Sequence, residues 1–195
     1  MSPNAPSVDP GLGSPPDHVA RDNRMSPKGM GAFYGASTLA GARSEVAGYA
    51  DPTDDGTAGE FELLRDISVV DLRTAADTPS LFDAGRRHLR APIAFMRDFL
   101  EDATKVADPS DTQNLEYIPT QVIAEYFRYG LRGDAGPVQG ILWRSSKDPT
   151  VTSCIVFAGQ DLMTDKGAPK TTGFADPDPL LQLDRSSVRT ITAPL

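Results

Sequence analysis

Arg24, Tyr34 and Glu45 stand ten and eleven residues apart in the run RMSPKGMGAFYGASTLAGARSE. A guanidinium grips a phosphate through two parallel N–H bonds. A tyrosine ring offers a flat face for stacking, and a carboxylate stabilises positive charge that develops beside it. The three together suit an anionic ligand on which positive charge develops. Lys28 lies four residues after Arg24 and can add charge at the same mouth, a position that equally suits a lysine facing solvent.

The elements around these residues have to hold them. GAFYGAS reads as a short strand, and Ser37 is a good N-cap for a helix running to about Tyr49. Leu39, Ala42, Val46 and Tyr49 fall on one face of that helix, and Glu45 lands beside Ala42 and Tyr49 at the edge of the stripe. Its carboxylate is therefore expected to be partly withdrawn from water. FELLR and ISVVDL are two β-rich runs. Ile93, Met96, Leu100 and Ala103 mark a second amphipathic helix. Pro119 opens a third, with Val122, Ile123, Tyr126 and Phe127 facing inward. GILWRSS and SCIVFAG read as neighbouring strands joined by KDPTV, and LLQL and SVRTITA as a final pair. Strand alternation sends Arg144 and Ser146 to the face opposite Ser145. The order β, α, β, β, α, α, β, β, β, β predicts a mixed α/β (α+β) domain, without the strict alternation of a doubly wound fold.

At 195 residues the chain fits one domain. Residues 1–22 hold five prolines and little periodicity, so they read as an extended leader to a domain over residues 23–195. A net charge of −8 opposes attraction to a phosphate backbone, so no direct nucleic-acid partner is expected. No apolar run approaches the roughly 18 residues that span a bilayer, and the first residues lack a secretory pattern. A cytoplasmic location without a membrane partner is the expectation. Cys154, the single cysteine, sits in the apolar run CIVFAG and reads as a buried structural thiol. His18 and His88 are too scattered to build a metal site with it, so none is expected.

Other motifs carry less. The loop DPTDDGTAGEFE places Asp51, Thr53, Asp55, Gly56 and Glu62 at five positions of an EF-hand loop. Thr53 and Ala58 break the pattern, and a strand follows instead of a helix, so a solvated loop is the better reading. The glycines of KGMGAFYGA precede a strand and no GK[ST] follows, which argues against a dinucleotide fingerprint or a phosphate loop. Trp143 alternates with polar neighbours and reads as half-buried packing. His18 in the leader and His88 in RRHLR are not placed to act as general bases.

The run NRMSPKGMGAFYGASTLAGARSEV resembles the core signature of the RES domain: an arginine opening an R-x-[NS]-P-x-G element, a strand ending in Tyr, then a helix carrying Glu. Arg24, Tyr34 and Glu45 match those positions. EYIPTQVIAEYFR followed by GILWRSSKDP resembles the family's helix and serine-bearing strand, which places the signature serine at Ser145. The resemblance covers roughly residues 18–160. It implies an ADP-ribosyltransferase-like fold with mixed twisted sheets flanked by helices. It also implies an NAD-consuming enzyme of bacterial toxin–antitoxin modules, with NAD as substrate and no separate cofactor. On that resemblance Arg24, Glu45 and Ser145 are the catalytic set, and Arg24, Lys28, Tyr34, Glu45 and Ser145 bind NAD. Water, phosphate or a protein is the acceptor, and a small helix-turn-helix antitoxin is the implied partner. A catalytically silent binding protein with the same fold is the reading from another class.

Overall fold

Apolar residues alternate along the late strands and build two buried faces back to back. The computed structural model describes residues 12–47, 55–74, 76–105, 115–134, 136–168 and 178–191. In chain order its elements are β1 (Phe33–Ala36), α1 (Leu39–Val46), β2 (Gly56–Leu63), β3 (Ser68–Asp71), α2 (Arg90–Thr104) and α3 (Ile118–Glu125). They continue with β4 (Arg132–Gly133), β5 (Gly136–Arg144), β6 (Thr152–Val156), β7 (Met163–Asp165) and β8 (Leu181–Ile191). A mixed α+β architecture with two sheets results.

The first sheet runs β1-β6-β5-β3, with β4 pairing β5, and the second runs β2-β8-β7. β3 lies parallel to β5, whereas β1 and β5 are antiparallel to β6. Residues directly opposite each other across neighbouring strands share a face. Tyr34 and Ile141 both pair with Ile155, and Ala36 and Trp143 both pair with Ser153. This face meets the helices: Ile141, Ile155 and Phe157 pack with Phe99 and Ala103 of α2, Ala124 of α3, and Phe127. Phe99 and Phe127 meet edge to face at 5.7 Å. The opposite face carries Val156 and Ala158, which pack with Met163, Leu181 and Leu183 of the second sheet. Phe33 and Phe61 bridge the two sheets at 4.8 Å.

Several elements differ from the sequence reading. The first helix is capped by Thr38, whose side chain accepts the Gly41 N–H, and not by Ser37. It is described as far as Val46, and Tyr49 lies outside the described residues. Its one buried residue is Gly41, while Val46 is exposed, so the apolar stripe is not what seats this helix. In α3 the buried positions are Thr120 and Ala124, followed by Phe127 in a π turn, whereas Val122 and Tyr126 are exposed. The small Ala124 side chain lets the helix lie close to the sheet, which turns the larger apolar groups outward. LLQL and SVRTITA are not a pair but one strand, β8, antiparallel to β2 and parallel to β7. Between them Asp184 accepts from the backbone and hydroxyl of Ser186, and Ser187 accepts the Glu60 N–H. These bonds close a local bulge where the β2 register shifts, and the strand continues.

Of the leader, Leu12, Ser14 and Ala20 are buried, and Leu12 belongs to the core between the sheets. Asp51 and Thr53 of the acidic loop lie outside the described residues, while Gly56 to Leu63 form β2. Cys154 is half-buried, and burial pushes its thiol up to about 11. Such a group stays protonated and unreactive at neutral pH.

Candidate active site

Arg24 occupies a tight turn closed by reciprocal backbone bonds, Asn23 N–H to Ser26 O and Ser26 N–H to Asn23 O. Met25 drops from this turn into the core. Gly29, at φ 86°, lets the chain reverse and donate its N–H to Ala20 O. α3 clamps the turn from above: the Thr120 hydroxyl donates to Arg24 O, and the Gln121 amide donates to Asn23 O (2.9 Å). The Arg24 side chain is only 10% exposed. One terminal nitrogen pairs with Glu116 at 2.9 Å, the other donates to Asp102 O at 3.2 Å, and the guanidinium lies 4.9 Å from the Tyr117 ring centre. Its Nε is buried and has no hydrogen-bond partner among the described residues. Glu116 and Tyr117 carry no local signal for this position, because they lie more than ninety residues downstream.

Tyr34 projects from β1 toward the same side. Its hydroxyl meets Ser26 Oγ at 3.0 Å, while the residue as a whole is 42% exposed. The polar tip is enclosed and the ring remains partly open. Burial of the hydroxyl pushes Tyr34 up to about 12, against the opposite pull of its bonds to Ser26 and Met25. A tyrosine raised in the folded state favours folding fully below its unfolded value of about 10, and that contribution is lost as pH rises through about 12. Spectrophotometric titration is expected to show one phenolate transition near the upper value that Tyr34→Phe removes. An unchanged high-pH transition in that variant assigns it elsewhere.

Glu45 is delivered by a close helix approach. Gly41 faces Val151, and a β-carbon at Gly41 would overlap Val151 Cγ1. Gly41 and Glu45 are four residues apart and so lie on one face of α1. The close seat therefore brings the Glu45 carboxylate onto the ends of β5 and β6. Ser145 Oγ donates to Glu45 Oε1 at 2.6 Å, and Ser153 Oγ lies 3.4 Å from the same oxygen. Ser145 Oγ also accepts the Lys147 N–H at 3.2 Å, which directs its proton to the carboxylate. Ser145 and Ser153 are buried. The Lys147 ammonium donates to Ser44 O beside them.

Ser145 and Glu45 are thus in direct contact, whereas Arg24 makes no hydrogen bond or ion pair with either. Tyr34 connects the two groups. From Tyr34 to Ala36 is two residues, about 7 Å, and from Ala36 to Ser153 one strand spacing, about 5 Å. Tyr34 and Ser153, which bonds Glu45, therefore stand on one face of the sheet. Lys28 is exposed, with its backbone N–H bonded to Asp22 (2.8 Å). Arg144 turns away, donating to Arg73 O and Pro149 O. His18 and His88 are both exposed. Two cavities lie elsewhere: about 550 Å³ between the sheets beside Cys154 and Leu142, and about 260 Å³ between β3 and α2. None of the five sequence-predicted site residues lines either one.

The RES domain matches residues 7–176. This chain belongs to the RES domain family. RES domains are generally linked to NAD-related toxin function. No curated protein and no solved structure matches the chain. In this RES domain the arginine, glutamate and serine come from a turn, a helix and the end of a strand. Among the described residues no group of acidic, histidine or cysteine side chains could hold a metal ion, and no helix is long and apolar enough to cross a membrane.

Proposed function

We propose that this RES domain cleaves the nicotinamide–ribose bond of NAD, with water or phosphate as acceptor. The observation that carries the reading is a half-buried carboxylate, Glu45, anchored by Ser145 and Ser153 on the sheet that also carries the partly open Tyr34 ring. Nicotinamide is cationic in NAD and departs neutral by taking the bonding electrons. No general acid is then needed, unlike ordinary glycoside hydrolysis with its two carboxylates. Positive charge collects on the ribose as the bond breaks, and the fixed Glu45 carboxylate stabilises it electrostatically. Its Oε1 is held by serine, which leaves Oε2 for a ribose hydroxyl. Tyr34 stacks on the nicotinamide ring. Arg24 holds the adjoining phosphate or ribose end through the small part of its guanidinium that remains exposed. Water then adds to the ribose, giving ADP-ribose, nicotinamide and a proton. Phosphate in its place gives the phosphorylated sugar.

Transfer to a protein uses the same bond cleavage with a different nucleophile. A helix-turn-helix antitoxin that covers the open Tyr34 side is the partner this reading implies. The test is incubation of the purified protein with NAD, with and without phosphate, and identification of the products. Free ADP-ribose is expected from hydrolysis, its phosphorylated form from phosphorolysis, and a labelled protein band from transfer. NAD left intact under all these conditions overturns the enzyme reading in favour of a silent binding protein.

A further inference from the structure

Ser153 lies on β6, far in sequence from the signature residues, yet its hydroxyl points at Glu45 Oε1. It is 2% exposed and forms the continuation of the face that carries Ile155 and Phe157, where an apolar side chain would complete the packing. Its opposite neighbours on the flanking strands are Ala36 and Trp143. Glu45 is its side chain's hydrogen-bond partner among the described residues. A buried hydroxyl without a partner is costly, so this serine and this carboxylate depend on each other.

We propose that Ser153 is a positioning residue: with Ser145 it brackets Glu45 Oε1 and so fixes which carboxylate oxygen faces the ribose. This rests on the NAD-cleaving reading of the site. The two serines approach from different strands, Ser145 at the end of β5 and Ser153 near the start of β6. A carboxylate bonded from one side pivots about that bond. Bonded from two sides it holds one orientation, with Oε2 turned outward. Ser145 makes the shorter bond and is the main anchor, while Ser153 removes the remaining rotation.

The test compares Ser153→Ala with Ser153→Thr, which keeps the hydroxyl and suits a strand. In Ser153→Ala kcat for NAD cleavage is expected to fall roughly tenfold, the worth of one hydrogen bond to a charged group, with KM unchanged. Ser153→Thr is expected to recover most of it. Carbon-13 relaxation of the Glu45 side chain reads the same property with no substrate present. The carboxylate becomes more mobile in Ser153→Ala and regains wild-type order in Ser153→Thr. Wild-type order of Glu45 in Ser153→Ala overturns the proposal whether or not NAD is cleaved. Loss of order in a protein that leaves NAD intact supports the positioning role and removes the NAD reading instead.

Discussion

Replacing Glu45 with glutamine is expected to lower kcat for NAD cleavage by about 10²–10³-fold, the scale measured when a preorganised electrostatic partner is removed from a developing charge. Glutamine keeps the length of the side chain and an amide oxygen that can still accept from Ser145 Oγ, now 2.6 Å from the carboxylate. The thermal midpoint should stay close to that of the parent. Glu45→Ala is a poorer probe, because it leaves the buried hydroxyls of Ser145 and Ser153 without their acceptor, at about 1–3 kcal/mol each. Substrate binding should change little, since the charge that Glu45 answers exists mainly in the transition state. Single-turnover cleavage of labelled NAD with a melting curve on the same preparation measures both. Turnover at the parental rate would remove Glu45 from the mechanism.

Arg24 is expected to show two separable losses. Its side chain is 10% exposed and its partner Glu116 33% exposed, so the pair is partly screened from water. Breaking a fully buried pair costs about 3–5 kcal/mol, and the exposure of Glu116 reduces this to about 1–3. Arg24→Gln should therefore lower the melting midpoint through loss of the ion pair and of the bond to Asp102 O, as well as abolish tight NAD binding. The double variant Arg24→Gln/Glu116→Gln removes both charges of the pair and is expected to be more stable than Arg24→Gln alone. It should recover none of the NAD cleavage. Recovery of both would make Arg24 a structural residue that anchors the 23–26 turn to α3. Arg24→Lys sharpens the distinction: one ammonium cannot serve Glu116, Asp102 O and the Tyr117 ring together, so KM rises while the charge is kept.

Much of the candidate site was legible in the sequence because it is local: the Arg24 turn, the Tyr34 strand and the Glu45 helix follow one another. Ser145 was found through the resemblance of GILWRSSKDP to the family's serine-bearing strand, and it stands just past the end of β5. What escaped is what packing decides. Ser37 and Thr38 are both capable caps, and only the contact of Gly41 with Val151 fixes where α1 sits and so which hydroxyl meets its first turn. The α3 face was misread because side-chain size suggested Val122 and Tyr126, whereas close approach to the sheet selects Thr120 and Ala124. The break seen at DRSS in β8 is real locally, but its polar groups bond within a bulge and do not end the strand. Ser153, Glu116 and Tyr117 had no local signal. They reach the site through pairings 92 or more residues long in the case of Glu116 with Arg24 and Ser153 with Glu45.

The strand order β1-β6-β5-β3 places the β5–β6 hairpin, made late in the chain, between two strands made early. During synthesis the early segments leave the ribosome with a gap between them, and Glu45 has neither serine to orient it. Both hydroxyls that meet the carboxylate come from this late hairpin region, so its surroundings are complete only once residue 153 has been made. An unfinished chain thus lacks both hydroxyls that orient Glu45, and they arrive together late in synthesis.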